Sequence, residues 1–491
     1  ERRLPRRSPD RTIPLIRAGR GVQLNFDCRD EIIPVLRTLQ HIYSQPALRD
    51  QVLDLIAADV NGDTRDDVGR EGMDYWQILV LAAMRLGCNL DYDKLQNLAE
   101  EHRALRHIMQ TGDWCEQHDF DWRRIHDNVC LLKPTTVEKI SHLVVSEGHR
   151  LQPEAAKQVR ADSFVIETNI HYPTESTLIR DGIRKVLELC VSIADTLQLD
   201  GWRQSAHLLK KVKRLSRHIE RIASRKGPNY QERLQREYRE LLKLSGKITE
   251  RAQHLVQQAE AHKKLATSPR VLQLRVFLER TEQVRGTARR RVLEREQVPN
   301  EEKLFSIFEP HTQLYKRGKA GEPLQFGRLA LIYEDAAGFI THAHLLGREE
   351  QDRDVVVPQT RIVQERLKGA IEEASFDRGF HTPDNQRELA TIIARPCLLK
   401  SGVKQSAEQL RQASVSFRCA RQRHAGVESA IRARQAGNGL ERSRDRTELG
   451  FERYLTLGVL GRNLHVLGKL LIAQEASQCE AARSQRKKSA A

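Results

Sequence analysis

The sequence lacks long apolar runs. No segment approaches the roughly 18–20 consecutive apolar residues that a membrane-spanning helix requires, and the longest runs, such as 78–84, are short and fall within a helical period. The basic start of the chain, residues 1–7, leads into no apolar segment of the kind found in secretory signals. These absences predict a soluble, cytoplasmic protein with no membrane partner.

Paired cysteines are also lacking. The eight cysteines stand at positions 28, 88, 115, 130, 190, 397, 419 and 479, with no CxxC pair. Cys115 and His118 are close in sequence, but two residues do not make a zinc site. In a chain of this length, scattered cysteines predict reduced, buried thiols in a cytosolic protein.

The chain is long and strongly charged. Its 491 residues predict about two to four folded units. A hydrophobic fraction of 39% suffices for buried cores, whereas 30% charged residues and a mean hydropathy of -0.58 indicate long helices with polar faces.

The net charge favours a polyanionic partner. The chain has 82 Lys and Arg against 66 Asp and Glu, a formal charge of +16 and a pI near 9.6. Each phosphate that a cation neutralises releases condensed counterions, so this surplus favours nucleic acid. Arginine, whose planar fork suits phosphate oxygens, is frequent at 289–291 and 421–446. A merely basic, solvated surface is the alternative that charge alone leaves open.

Strand-like segments alternate with helical segments along the sequence. This order predicts a mixed α/β core that is interrupted by helices. The predicted segments are 1–25, a basic arm expected to be disordered; 26–150, an all-α domain; 151–200, the first part of the core; 201–300, a helical or coiled-coil insertion; 301–475, the remainder of the core; and 476–491, a basic tail. The short helices of 26–150 suggest a helix-turn-helix-like DNA-binding unit, with a plain helical bundle as an equal alternative.

Local patterns predict individual elements within these segments. Strands are predicted at 159–168, 374–377 and 392–399, and a hairpin at 327–333 and 338–346. Helices are predicted at 75–86, 91–101 and 362–370, and helical stripes in the insertion break at Gly227 and Pro228. Within the insertion, a basic face that includes Lys210, Lys211, Lys213 and Arg214 is able to touch backbone phosphates.

Three carboxylates stand where packing alone would disfavour them. Asp162 lies within a predicted strand, Asp377 ends another strand before Arg378 and Gly379, and Glu428 lies on an apolar-faced helix. An ionised carboxylate at such a position is costly unless it is paired or binds a cation. Three that converge would suit Mg²⁺, a hard cation that prefers oxygen ligands. Pairing of each acid with a nearby arginine is the alternative.

Five segments, in order from about residue 160 to 470, resemble motifs of bacterial insertion-sequence DDE transposases. They are DSFVIETNIHYPTESTL at 162–178; LFSIFEPHT at 304–312; Phe326-Gly327 with YEDAAGF at 333–339; SFDRGF at 375–380 with Asn385-Gln386; and RHAGVESAI at 423–431 with the residues that follow to 465.

The resemblance implies an RNase H-like catalytic core with a helical insertion, and it assigns Asp162, Asp377 and Glu428 to catalysis and to Mg²⁺, for which Mn²⁺ can substitute. Two metal ions in such a site activate the attacking hydroxyl and stabilise the leaving oxygen. The implied partner is double-stranded DNA, both the terminal repeats of the element and the target. A homodimer or higher oligomer on DNA, located at the bacterial nucleoid, is expected.

The resemblance also suggests side chains that contact DNA: His171, Arg378, Arg423, His424 and Arg434. Related groups place an arginine four residues before the third acid and a lysine seven after it, whereas this chain has His424 and Gln435 there. The phosphate-binding roles therefore stay open.

Other acids are the next candidates for metal ligands after Asp162, Asp377 and Glu428, and are called reserve ligands below. Asp352 is the first of these, although it and Asp354 lie in an acid-rich run that predicts an exposed surface; the others are Glu167, Glu309 and Asp335. The sequence predicts a transposase that performs DNA cleavage and strand transfer. A catalytically inactive DNA-binding remnant of a transposase is the alternative.

Overall fold

The computed structural model of the chain describes residues 22–28, 30–62, 72–111, 120–261, 268–316, 324–399, 411–412, 414–425 and 436–489. Within these residues the fold is mixed α/β and mostly helical, as the sequence predicted at this level. The chain divides into two compact units: Glu1–Ile166 with Leu329–Ala491, and Glu167–Arg328.

The first unit begins with helices. They are α1 (Ile32–Ser44), α2 (Pro46–Asn61), α3 (Tyr75–Gly87), α4 (Tyr92–Glu101), α5 (Arg103–Ile108), α6 (Trp122–Val129) and α7 (Pro134–Leu151). Asp74 and Asp91 start α3 and α4, because their carboxylates accept backbone N–H bonds of 2.7 and 2.8 Å. The predicted helices at 75–86 and 91–101 are confirmed. Most of the arm predicted at 1–25 lies outside the described residues, but Val22 is buried.

Seven strands of the described chain form a mixed sheet. They are β1 (Gln158–Thr168), β2 (Gln313–Tyr315), β3 (Gln325–Asp335), β4 (Ile340–Leu345), β5 (Glu373–Phe376), β6 (Arg395–Leu398) and β7 (Arg442–Ser443). Their order is β2-β3-β1-β5-β6, with β4 paired to β3 and β7 to β1. Strand β5 runs parallel to β1 and β6, whereas β2 and β4 run antiparallel to β3. The predicted first strand and the hairpin are confirmed.

The second unit is built mainly from long helices. They are α8 (Glu175–Leu197), α9 (Ser205–Arg225), α10 (Tyr230–Ala261) and α11 (Pro269–Ala288). Apolar stripes of all four meet in one core, which includes Ile183, Val212, Leu241 and Leu274. The break predicted at Gly227 and Pro228 is confirmed, because α9 ends at Arg225 and α10 begins at Tyr230.

Three further helices connect or cover the strands of the first unit: α12 (Asp352–Arg366) between β4 and β5, α13 (Pro383–Ile392) between β5 and β6, and α14 (Val415–Ala425) after β6. The prediction of a helix at 362–370 was wrong about both ends, because α12 begins at Asp352 and ends at Arg366. The charged residues before it form its first turn, where the Gln351 N–H donates to Asp354 over 3.0 Å. The strand predicted at 392–399 is shorter, because α13 extends to Ile392.

The last helix, α15 (Glu448–Ser489), packs against α1, α3 and α7. Among the described residues it is the one helix long and apolar enough, by length and composition, to cross a membrane. However, 67% of its most apolar 18-residue window is buried inside the structure, as in a core helix. The predicted basic tail from 476 continues this helix.

The cysteines correct one expectation. All seven that the structure describes are free, but only Cys190 and Cys397 are buried, whereas Cys28, Cys419 and Cys479 are exposed. Scattered spacing excludes paired ligands but carries no information about burial, which depends on the face of the helix. Cys115 and His118 lie outside the described residues.

Candidate active site

Asp162 on β1 and Asp377, the residue directly after β5, stand where the register of two neighbouring parallel strands continues. The register of β1 and β5 pairs Arg160 with Ser375 and Ala161 with Phe376. Asp162 and Asp377 are the next residues on each side, and Asp377 keeps an extended backbone (φ -69°, ψ 164°). Because neighbouring strands are about 4.8 Å apart and paired positions of a parallel ladder share a face, a register that continues by one residue places the two carboxylates side by side.

The face that bears the acids is the less buried face of β1. Gln158, Arg160 and Asp162 are half-buried there, whereas Val159 and Ala161 on the opposite face are buried. The Asp162 carboxylate accepts the N–H of Ser163 over 2.7 Å, which orients it at the strand. An acid at this point therefore meets solvent without disrupting the core beneath it.

A short turn fixes the position of Asp377. The turn Arg378–Phe380 follows the acid directly, and the Phe380 N–H donates to the Asp377 carbonyl over 3.3 Å. Phe380 is buried and packs on Phe376, with ring centroids 6.2 Å apart. Asp377 itself is exposed. Buried rings on both sides thus hold an exposed carboxylate in place.

Helix α14 covers the same face of the sheet. Arg423 forms an ion pair with Glu373 on β5, and its backbone carbonyl accepts a 3.1 Å bond from Arg160 on β1. His424 lies 3.2 Å from the Ser375 hydroxyl, measured from Nδ1. Burial lowers the pKa of His424, against the opposing effect of the nearby Asp377 carboxylate. An uncharged imidazole therefore stands beside the second acid at neutral pH.

A cavity of about 440 Å³ lies beside this helix contact. Arg160, Glu334 and Glu373 line it, together with Arg423 and Arg462. The Arg160 Nε donates to the buried Glu334 carboxylate over 2.6 Å, and Arg462 lies 3.9 Å from the same carboxylate. Each of these three arginines thus lies within 4 Å of the carboxylate of Glu334 or Glu373.

Asp352 approaches the turn that follows Asp377. Its Oδ2 lies 3.7 Å from the point that a Cβ atom on Gly379 would occupy. Asn385 holds the two segments together by donating to the Arg353 carbonyl (2.7 Å) and the Phe380 carbonyl (2.9 Å). The expectation that Asp352 is an exposed surface residue is wrong: it is half-buried at the start of α12, whereas Asp354 is exposed.

The predicted DNA-contacting residues that the structure describes differ in their surroundings. Arg378 is exposed directly after Asp377. Arg423 is paired with Glu373, and His424 is half-buried. His171 belongs to the second unit, where it lies 3.4 Å from Asp181. Glu428, the third predicted acid, and Arg434 lie outside the described residues.

The reserve acids have structural contacts. Asp335 accepts a 2.6 Å bond from His149 and the backbone N–H groups of Ala337 and Phe339, so it forms the turn between β3 and β4. Burial raises the pKa of Asp335. Glu309 is also buried, 3.8 Å from His311, and Glu167 is half-buried. Among the described residues, no three His, Cys, Asp or Glu side chains are arranged to hold a metal ion.

Sequence reasoning missed Arg160, Ser375 and Glu373. A local signal existed for the first two, because each stands two positions before a predicted acid and so shares its face of the strand. Glu373 carried no such signal, since its role depends on Arg423 of a distant helix. Comparison of the chain with protein-family models, with curated proteins and with solved structures found no significant match.

Proposed function

We propose that this chain is a bacterial insertion-sequence DDE transposase, which cleaves DNA at the ends of its element and joins them to a target. The observation that carries the proposal is the register of β1 and β5, which makes Asp162 and Asp377 neighbours although more than 200 residues separate them in sequence. The sequence motifs that single out the two acids contain no information about strand pairing, so the register that brings them together is independent support.

We also propose an RNase H-like core. Its support is that one acid stands on the first strand of the sheet and the other at the end of a later, parallel strand. The hairpin β3–β4 occurs where the resemblance expected a central hairpin. Helix α14 leads towards the segment that contains Glu428 and already contacts the acid-bearing face through Arg423 and His424.

The proposed metal ligands are Asp162, Asp377 and Glu428. Carboxylate oxygens are the donors that Mg²⁺ prefers, and Mn²⁺ accepts the same set. When bound, the ions would activate a water or a DNA 3′-hydroxyl for in-line attack at phosphorus. The chain's own contribution is electrostatic: Glu334 and Glu373 neutralise Arg160 and Arg423, while burial keeps His424 uncharged. The charge of the acid pair is therefore retained for a cation.

The proposed partners are the terminal repeats of the element and a target DNA, bound by a homodimer or higher oligomer in the bacterial cytoplasm. Pairing two DNA ends requires two binding sites, which an oligomer supplies. A catalytically inactive remnant that binds DNA is the second candidate, and the departures at His424 and Gln435 favour it.

The test is cleavage of a labelled duplex that carries the ends of the element encoding this chain, with Mg²⁺ or Mn²⁺ and with EDTA as a control. We expect metal-dependent nicking at the element boundary. Asp162→Asn and Asp377→Asn should each lower the rate by about a hundredfold or more, because a charged ligand is lost while side-chain shape is kept. Asp354→Asn, at an exposed acid of α12, is the matched control and should cleave as the parent chain does.

The outcomes separate the candidates. If Asp162→Asn nicks as fast as the parent chain, the metal assignment is wrong. If the parent chain binds the duplex but cuts with neither metal, it is the inactive remnant.

A further inference from the structure

Helix α9 carries a continuous basic stripe. The stripe consists of Lys210, Arg214, Arg217, Arg221 and Arg225, all of which are exposed. Successive members are four, three, four and four residues apart, the spacing that keeps side chains on one face of an α-helix. At a rise of 1.5 Å per residue, the stripe is about 22 Å long.

The other face of α9 is committed to the core. Val212, Ile219 and Ile222 are buried there, so the helix cannot rotate to hide its cations. The acid of the helix, Glu220, lies 3.6 Å from Arg180 and accepts a hydrogen bond from Ser216. The Glu220 carboxylate therefore contacts Arg180 and Ser216 instead of a cation of the stripe.

The stripe is not balanced by acids. Across the ranges that the structure describes, no ion pair involves any of its five members. Helix α10 differs, because exposed Glu232, Glu240 and Glu250 interrupt its exposed cations. Exposed helices ordinarily mix the two signs of charge, which supports solubility and local ion pairs. A single-sign stripe concentrates positive potential along one line and attracts a linear polyanion.

We propose that the α9 stripe binds the phosphate backbone of double-stranded DNA. Phosphates of one DNA strand follow one another every 3.4 Å along the helix axis, so about 22 Å corresponds to about six or seven base pairs. Four of the five cations are arginines, which bind phosphate through a planar fork.

An anionic membrane is the less favoured partner. A helix that lies on a membrane inserts an apolar face beside its basic face. In α9 that apolar face is already buried within the second unit, and no large hydrophobic side chain of α9 is among the exposed ones in the described chain. The choice of DNA, rather than another polyanion, rests on the proposed function.

The test is the salt dependence of DNA binding, measured by fluorescence anisotropy with a labelled 25-base-pair duplex of mixed sequence in EDTA. The variant is R214A/R217A/R221A, in the full chain. Each lost phosphate contact should reduce the slope of log K against log salt by about 0.9, so we expect a slope smaller by about 2 to 3 and affinity at least about tenfold weaker at 0.1 M salt.

The matched control is R239A/K243A/K247A on α10, which removes the same charge from exposed positions of the same unit. Loss confined to the α9 variant supports the proposal. An unchanged slope in that variant overturns it, and so does an equal loss in both variants. Selective loss of binding to anionic phosphatidylserine vesicles, with DNA binding intact, also overturns it.

The two proposals can fail separately. Because the measurement is made in EDTA, it does not require cleavage. An Asp162→Asn chain with an unchanged α9 should give the slope of the parent chain.

Discussion

Arg366 links two histidines of the first unit, His142 and His342. Its Nη1 lies 2.8 Å from Nε2 of His142 and 2.9 Å from Nδ1 of His342, while its Nη2 lies 3.1 Å from the Glu138 carboxylate. A guanidinium can only donate, so both ring nitrogens accept and must be deprotonated. Burial, reinforced by the charge of Arg366, lowers the pKa of His142 to about 3 and that of His342 to about 4.

These histidines should make the protein sensitive to mild acid. Between pH 6.5 and about pH 4 the unfolded chain binds protons at both positions and the folded chain does not, so stability falls as the pH falls. Each histidine contributes up to about 1.4 kcal/mol per pH unit. We expect the melting temperature of the parent chain to be lower at pH 5.0 than at pH 7.5. The melting temperature of the H142N/H342N variant should fall less over the same pH range.

The exposed His207 supplies the control, since His207→Asn should reproduce the pH dependence of the parent chain. An equal drop for H142N/H342N and for the parent chain would show that other groups govern the acid response.

Residue identity and local pattern were enough to select Asp162 and Asp377. The selection depended on single positions: an acid inside an apolar strand, and an acid at a strand end before glycine. The partnership of Arg423 with Glu373 was beyond such reasoning, because it joins helix α14 to a strand 50 residues earlier in the chain. Charge alone gives every arginine many equivalent partners in a sequence with 66 acids.

At the scale of elements, glycines allow α15 to approach its neighbours closely. A Cβ atom on Gly468 would lie 1.9 Å from the carbonyl oxygen of Pro34 in α1. A Cβ atom on Gly461 would lie 2.6 Å from the backbone nitrogen of Gly87 in α3. Both obstacles are backbone atoms of packed helices, which cannot move aside as a flexible side chain can.

Gly468→Ala should therefore destabilise the first unit by about 3 kcal/mol or more, because the helices must separate to admit a methyl group. Thermal unfolding followed by circular dichroism measures this. Gly286→Ala in α11 is the matched control: nothing lies within 4 Å of the added Cβ, and better helix propensity should leave stability equal or slightly higher. Equal melting temperatures for Gly468→Ala and the parent chain would contradict the close approach.

Elements with apolar stripes and clear end signals were predictable. The apolar segment 75–86 predicted α3, Asp91 marked the start of α4, and Gly227 with Pro228 marked the break between α9 and α10. The start of α12 was missed because its first turn is acid-rich and lacks an apolar stripe. Its stability comes from caps and from the buried Val355 and Val356, whose burial depends on tertiary contacts.

At the scale of the whole molecule, one hydrophobic core joins the two ends of the first unit. Leu36 of α1 and Leu81 of α3 belong to the same buried cluster as Phe164 of β1 and Leu460 of α15. Sequence periodicity predicted which residues of each helix are apolar, but not that the last helix completes the core of the first ones. That information lies in contacts across more than 400 positions.

Removal of α15 should prevent folding of the first unit. A chain that ends at residue 447 loses Phe451, Tyr454, Leu460 and Leu467 from the core, so we expect it to be largely insoluble, as measured by the soluble fraction after expression. A chain that ends at residue 475 keeps all of these core residues, and the described side chains 476–485 that it loses are exposed, so it should remain as soluble as the parent chain. Equal solubility of the two truncations would show that α15 is dispensable.

The pairing of α1 with α15 also imposes a waiting time during synthesis. Helix α1 ends at Ser44 and α15 begins at Glu448, so about 400 residues are added before the partner exists. At about 5 to 20 residues per second, the ribosome needs about 20 to 80 s for that distance. During this interval, the apolar surface that α15 later covers is open to other nascent chains and to chaperones. Each premature stop of translation upstream of α15 thus releases a product with an uncovered core.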